Sequence, residues 1–192
     1  MPSHAHRIAI FASGNGSNAE AIIQYFKGHK SIKVALVLSN NPDAYVLERA
    51  KAAGIPAHRF TREEYKQPGK VLEYLSQGGI THIVLAGFLW LVPEYLIKSY
   101  RDRIVNIHPA LLPKFGGKGM YGSRVHEAVK LAGEKETGIT IHLVNEHYDE
   151  GRVLFQKSCP VETHFSAMDI AKCVLLLEHK HYPEVIEKWV LG

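Results

Sequence analysis

Arg7-Ile8-Ala9-Ile10-Phe11-Ala12 is a short, almost wholly apolar run, and Ser13-Gly14-Asn15-Gly16-Ser17-Asn18-Ala19 follows it directly. A run of that length and composition predicts a strand covered on both faces, because a half-exposed strand would alternate polar with apolar. The polar stretch after it predicts a tight turn that opens a helix over Ala19–Lys27, with Asn18 as N-cap. Strand, turn and helix make the first half of a strand–helix–strand unit, and such units build parallel sheets through right-handed crossovers.

The rest of the chain continues the alternation. Further strands are predicted at Ile32–Ser39, Ala57–Arg59, His82–Ala86, Ile104–His108, Thr137–Val144 and Val153–Pro160. Helices are predicted at Ala44–Ala53, Lys70–Gln77 and Pro93–Tyr100, and Gly28 and Gly54 stand where C-terminal caps belong. Thr137–Val144 and Val153–Pro160 are separated by a short polar loop, which predicts an antiparallel pair added to the parallel sheet. Ala167–Leu191 reads as a closing helical segment interrupted at Pro183. The expected fold is α/β: three layers, α/β/α, with a Rossmann-like, mostly parallel sheet of about seven strands and a C-terminal antiparallel addition. The chain has no internal repeat, low-complexity segment or linker, so residues 1–192 are expected to form one domain.

The glycine turn bears on function. Glycines let backbone amides stand exposed, and the helix behind them presents unpaired N–H groups and the positive end of its dipole, which together suit an anion. A plain strand-to-helix turn is the alternative. Gly14-x-Gly16-x-x-Ala19 also fits the dinucleotide fingerprint, but that fingerprint wants an acid closing the second strand. Here Leu38-Ser39-Asn40-Asn41-Pro42 offers none before Asp43, which favours a phosphomonoester over a dinucleotide. A GxxxxGK[ST] loop is lacking, which argues against an NTPase.

Composition excludes other classes. Hydrophobic residues make up 46% and charged residues 22%, a globular balance. The net charge of +4 is dispersed without a Lys/Arg run, so nucleic acid is not an expected partner, while small anions are. Met1–His6 is polar and lacks the apolar stretch of a secretory signal, and Ile83–Val92 is too short to cross a bilayer. Cys159 and Cys173 are far apart and outside any CxxC pattern, which fits a reduced cytoplasmic compartment better than a disulfide between them. The twelve histidines include no HExxH, and no metal is expected.

Val105-Asn106-Ile107-His108-Pro109 is the segment richest in chemistry. Residues two apart on a strand share a face, so Asn106 and His108 project together. Pro109 ends the pairing and puts His108 at the strand's carboxyl end, the edge where open parallel sheets bind ligands. By itself an Asn-x-His pair is more often structural than catalytic. Asp149, in Asn145-Glu146-His147-Tyr148-Asp149-Glu150-Gly151, would by itself read as part of a solvated acidic turn.

Taken in order, Ser13–Asn18, Leu85-Ala86-Gly87-Phe88, Asn106-Ile107-His108-Pro109-Ala110-Leu111-Leu112-Pro113, His142 and Asp149-x-Gly151 resemble the folate-dependent glycinamide ribonucleotide formyltransferases over nearly the whole chain. The resemblance implies a formyltransferase fold and a cytoplasmic enzyme of purine biosynthesis, monomer or weak homodimer, with small-molecule substrates and no membrane or nucleic-acid partner. It implies transfer of a formyl group from 10-formyltetrahydrofolate to the amine of N1-(5-phosphoribosyl)glycinamide. Asn106, His108 and Asp149 are then catalytic, with Asp149 raising the pKa of a protonated His108. Gly16, Ser17 and Asn18 would hold the phosphate, Gly87 and Pro109 the sugar, and Glu178 the amine end. The folate would lie along Leu89, Trp90, Leu91 and Val92 and the loop Asn145, Glu146, His147, Tyr148 and Asp149, with Asn106 at its reacting end and Arg62 near its tail.

Three positions depart from the family pattern. Trp90 stands where relatives often carry Arg, Thr140 where they often carry Ser, and the Phe115–Gly122 segment replaces a shorter loop that bears His. The glycines of that segment suggest a mobile flap. Methionyl-tRNA formyltransferase and formyltetrahydrofolate deformylase, which resemble this chain, carry additional domains, so its length is expected to exclude both. A sugar-nucleotide or other amine formyltransferase of the same fold stays open, as does a non-catalytic nucleotide-binding module that uses Gly14–Ala19.

Overall fold

The computed structural model describes residues 6–192; most of the polar amino-terminal stretch considered above lies outside the described residues. The chain runs β1 (His6–Phe11), α1 (Ser17–Tyr25), β2 (Ile32–Ser39), α2 (Val46–Ala52), β3 (Ala57–Arg59), α3 (Arg62–Lys66) and α4 (Lys70–Gln77). It continues through β4 (His82–Leu85), α5 (Glu94–Ser99), β5 (Ile104–His108), α6 (Ser123–Leu131), β6 (Glu136–Leu143), β7 (Val153–Pro160) and α7 (Ala167–Leu191). The strands form one seven-stranded sheet in the order β3-β2-β1-β4-β5-β6-β7. The first five pair in parallel, β6 runs antiparallel to β5, and β7 antiparallel to β6.

Both faces of the sheet are covered, as the continuous apolarity of the early strands requires. Ile8, Ile10, Val37, Val105 and Ile107 join Ile22, Val46, Val129, Val174 and Ile186 of α1, α2, α6 and α7 in one core cluster. Ala9, Phe11, Leu36 and Ile83 join Tyr65, Val71, Leu75 and Leu96 of α3, α4 and α5 in the other. The sheet order reverses between β1 and β4, so the glycine turn after β1 and the Gly87 segment after β4 flank the switch point where such sheets open a crevice.

Four local features differ from expectation. Helix α1 is capped not by Asn18 but by Gly16, which takes the left-handed conformation (φ 78°, ψ 28°) without a side-chain cap. Helix α7 runs unbroken through Pro183. A proline in a helix interior costs about 3 kcal/mol. Tyr182 and Ile186 are wholly buried beside it, each worth about 1.5–3 kcal/mol. The Tyr182 hydroxyl also donates to Leu85 O at 2.8 Å, pinning the helix onto the sheet. Helix α3 was signalled by a capping box, Thr61 with Glu64, that hydrophobic periodicity alone passes over. Helix α6 follows the Phe115–Gly122 segment, and its Val125 and Val129, one turn apart, are fully buried.

The two cysteines are both free. They lie side by side between β7 and α7, where burial first, and then a hydrogen bond with Cys173, pushes the Cys159 thiol up to about 12.

Candidate active site

A cavity of about 720 Å³ opens beyond the carboxyl ends of β1, β4 and β5. Asn106, His108 and Pro109 line it from β5 and its exit, and His142, Val144, His147, Tyr148 and Asp149 from β6 and the loop after it. Gly87, Phe88, Leu89, Trp90, Leu91 and Val92 line it after β4, and Asn18, Arg62 and Glu178 complete those expected. Gly16 and Ser17, two and one residues before Asn18, are not part of the wall. Asn145 and Glu146 do not border the cavity. Asn145 instead closes its own turn, its Oδ1 accepting from His147 N at 3.0 Å, which throws Glu146 out to solvent.

The expected catalytic trio comes together. His108 is 4% exposed, and its Nδ1 lies 3.5 Å from Asp149 Oδ2. Its Nε2 is 2.8 Å from the carbonyl oxygen of Phe115, which can only accept, so Nε2 carries the proton in this form. Asp149 sits in the left-handed region (φ 59°) and accepts from Gly117 N at 2.9 Å. The polypeptide reaches this position because Gly151 packs against Leu143 O, where any Cβ would collide.

The charges do not fall as expected. Asp149 and the Phe115 carbonyl do push the His108 pKa up, but burial outweighs them and, with His142 nearby, leaves it below the ordinary imidazole value. Burial pushes the Asp149 carboxyl up in turn, but nearby His142, the charge of His108 and the Gly117 N–H together hold it below the usual range. Near neutral pH the pair is therefore a neutral imidazole facing a carboxylate, not the imidazolium predicted from sequence.

His142, given no role above, completes the group. Its Nδ1 is 2.8 Å from Leu143 O, which fixes the proton there and turns the Nε2 lone pair toward Asn106 Nδ2 at 3.2 Å. One Asn106 N–H is thus committed and the other left for a ligand. Thr140 keeps the hydroxyl expected of it and uses it structurally. It donates to Ala110 O at 2.7 Å and accepts from Leu112 N at 3.0 Å and Gln156 Nε2 at 2.8 Å, securing the turn after His108.

On the opposite side Asn18 Nδ2 donates to Glu178 Oε2 at 2.8 Å, while Asn18 Oδ1 is buried without a hydrogen-bond partner. Burial pushes the Glu178 carboxyl up to about 7, and the Asn18 bond opposes the rise. Ser13 joins the two halves of the site: its N donates to Gly87 O at 3.1 Å, and its Oγ accepts from Leu89 N at 3.1 Å. The Arg62 guanidinium lies 5.5 Å from the centre of the Trp90 ring. The Gly117–Gly122 segment, Arg124 and the buried His126 supply a further wall that sequence reasoning did not assign. Among the described residues no group of three or more His, Cys, Asp and Glu side chains could hold a metal ion. No helix among them is long and apolar enough to cross a membrane.

Residues 6–186 match the formyl transferase family. The chloroplastic phosphoribosylglycinamide formyltransferase of Arabidopsis thaliana is 40% identical over 186 residues, which is 94% of this chain and 64% of that protein. The Bacillus subtilis phosphoribosylglycinamide formyltransferase is 38% identical over 191 residues, 97% of this chain and 95% of the relative. The chain thus spans less than two thirds of the plant relative and nearly all of the bacterial one. The solved structure of glycinamide ribonucleotide transformylase 1 from Geobacillus kaustophilus matches with a TM-score of 0.87 at 36% identity, covering 98% of this chain and 100% of that one.

Proposed function

Because the chain belongs to the formyl transferase family, we propose that it moves the formyl group of 10-formyltetrahydrofolate onto the amine of N1-(5-phosphoribosyl)glycinamide, a step of purine synthesis. The observation that carries the proposal is the meeting of Asn106, His108, Asp149 and Glu178 in one cavity that Asn18 joins to the glycine turn. A phosphomonoester fits that turn, where the first N–H groups of α1 have no partner within the helix. Gly87 and Pro109 border the path from there to His108, and Glu178 stands where a carboxyl orients an amine.

The residues present also fit the folate. The Phe88–Val92 segment offers a largely apolar wall with exposed Leu89 and Leu91, suited to a flat ring system. His147, Tyr148 and Asp149 face it, and Arg62 stands by Trp90 as a cation for a carboxylate tail. When bound, the folate supplies the formyl carbon and the N10 leaving group.

The chemistry needs no covalent enzyme intermediate, because a neutral amine is a competent nucleophile. A bond forms from the amine nitrogen to the formyl carbon, and the bond from that carbon to N10 breaks. The free N–H of Asn106 stabilises the oxyanion between these events. His108, neutral at the start, takes the proton that the amine loses and delivers it to N10. As the imidazolium forms, Asp149 at 3.5 Å stabilises it. In this role Nε2 first leaves the Phe115 carbonyl and gives its proton to water, while Nδ1 takes one from water on the side of the carboxylate.

The same proposal holds that residues 1–192 form one domain acting as a monomer or weak homodimer in the cytoplasm, without a metal. Its test is a transfer assay with purified protein and both substrates. Tetrahydrofolate release that depends on the ribonucleotide supports it; release without the ribonucleotide, or none, defeats it.

A further inference from the structure

The geometry points to Arg49, on α2, as the residue that sets the shape of the phosphate-binding turn. The inference rests on the proposed reading of that turn. Arg49 touches none of the cavity wall. Its Nε donates to Asn15 O at 2.9 Å and its Nη2 to Asn15 Oδ1 at 2.8 Å, while Nη1 pairs with Glu20 of α1. The Tyr45 ring covers the guanidinium at 4.9 Å. The planar fork therefore grips the middle residue of the turn through main chain and side chain at once, and ties it to the helix that the turn opens.

Two further contacts make α2 a mould for the turn. Val46 N donates to Gly14 O at 3.2 Å, and Val46 packs so closely on Gly16 that a Cβ there would lie 2.5 Å from Val46 Cγ2. Gly16 is held at φ 78°, a conformation that favours glycine. The carbonyls of Gly14 and Asn15 both accept from α2. With these oxygens drawn to one side, the amides that follow are left to face an anion. Glu20 balances the charge of Arg49, so the arginine acts as a positioning residue and not as a phosphate ligand.

The experiment titrates ribose 5-phosphate into ¹⁵N-labelled wild-type, Arg49→Met, Arg49→Lys and Asn15→Ala proteins, following the Gly16 and Ser17 amides, with steady-state kinetics alongside. Loss of charge-assisted hydrogen bonds predicts affinity about tenfold weaker or more in Arg49→Met. Arg49→Lys, which keeps the charge but not the fork, recovers part of it. The KM for the ribonucleotide rises in step, while kcat and the KM for the folate stay at the wild-type values. Arg49→Met and Asn15→Ala combine less than additively, because they remove the same contact. Asn15 is exposed, so its variant tests the idea even where Arg49→Met folds poorly. Equal binding of ribose 5-phosphate by all four proteins overturns the inference, and so does a uniform loss of kcat and both KM values. A wild-type protein that binds ribose 5-phosphate but transfers no formyl group overturns the proposed reaction and leaves the role of Arg49 standing.

Discussion

Replacing Glu178 by Gln should make the protein more stable above neutral pH and no more stable in mild acid. Glu178 is 9% exposed, and burial moves its carboxyl from 4.5 up to about 7. Below the lower value the side chain is neutral in both the folded and the unfolded chain, so it contributes no pH dependence. Between the two values the folded protein keeps a proton that the unfolded chain has released, and stability falls as pH rises. Above the upper value the folded state carries a buried carboxylate at full cost. That displacement, at ~1.4 kcal/mol for each tenfold change in proton affinity, amounts to roughly 3 kcal/mol. Gln keeps the size and the oxygen that Asn18 donates to, but has no proton to lose. Guanidinium denaturation of both proteins at pH 5 and pH 8 should therefore show a stability gap that grows by roughly 3 kcal/mol in favour of Glu178→Gln. In thermal melts that is several degrees for a chain of this size. The same variant should bind the amine substrate about tenfold more weakly, having lost a charge for it to meet. A gap that stays constant from pH 5 to pH 8 refutes the reasoning, since it means that the carboxyl ionises alike in both states.

Four further outcomes are expected. His108→Ala and Asp149→Asn should each lower turnover by about 100- to 1000-fold, the usual scale for removing a group that meets transition-state charge, and single-turnover kinetics will read it. His142→Ala frees the Asn106 amide to rotate and should reduce kcat by about tenfold with little change in either KM, because a misplaced oxyanion donor acts on the transition state. The acid limb of kcat/KM should lie below the ordinary imidazole pKa, and should move to still lower pH in Asp149→Asn, since that carboxylate is what holds the His108 value up; an NMR titration of the His108 ring checks the assignment. Iodoacetamide at pH 8 should leave Cys159 unmodified in the folded protein and label it readily after denaturation, because burial keeps its thiol protonated.

Much of this architecture was legible because single strands and turns obey local rules. The placement of Asn106 and His108 on one face needed only the two-residue period of a strand. The spacing Asp149-x-Gly151 carried its own reason, a glycine where the chain touches Leu143 O. What stayed hidden depends on pairing. Asn106 stands directly opposite His142 across the β5–β6 ladder, and opposed residues share a face, but that register is invisible until the strands are aligned. The sign of the His108 shift was misread for a related reason. A nearby carboxylate can be guessed from a motif, whereas the depth of burial that outweighs it depends on the whole cavity wall. Asn145 and Glu146 were grouped with the folate by resemblance, and the Asx turn that keeps them off the cavity wall forms through a single side chain. Arg49 had no motif at all; only the docking of α2 on the turn brings it to Asn15.

The contact between His108 Nε2 and the Phe115 carbonyl decides which ring nitrogen is open to a neighbour. In this arrangement Nε2 directs a hydrogen at that carbonyl, and the ring's lone pair lies on Nδ1, turned toward Asp149. On the proposed reaction, release of the Phe115 carbonyl must therefore come before any proton transfer at Nε2.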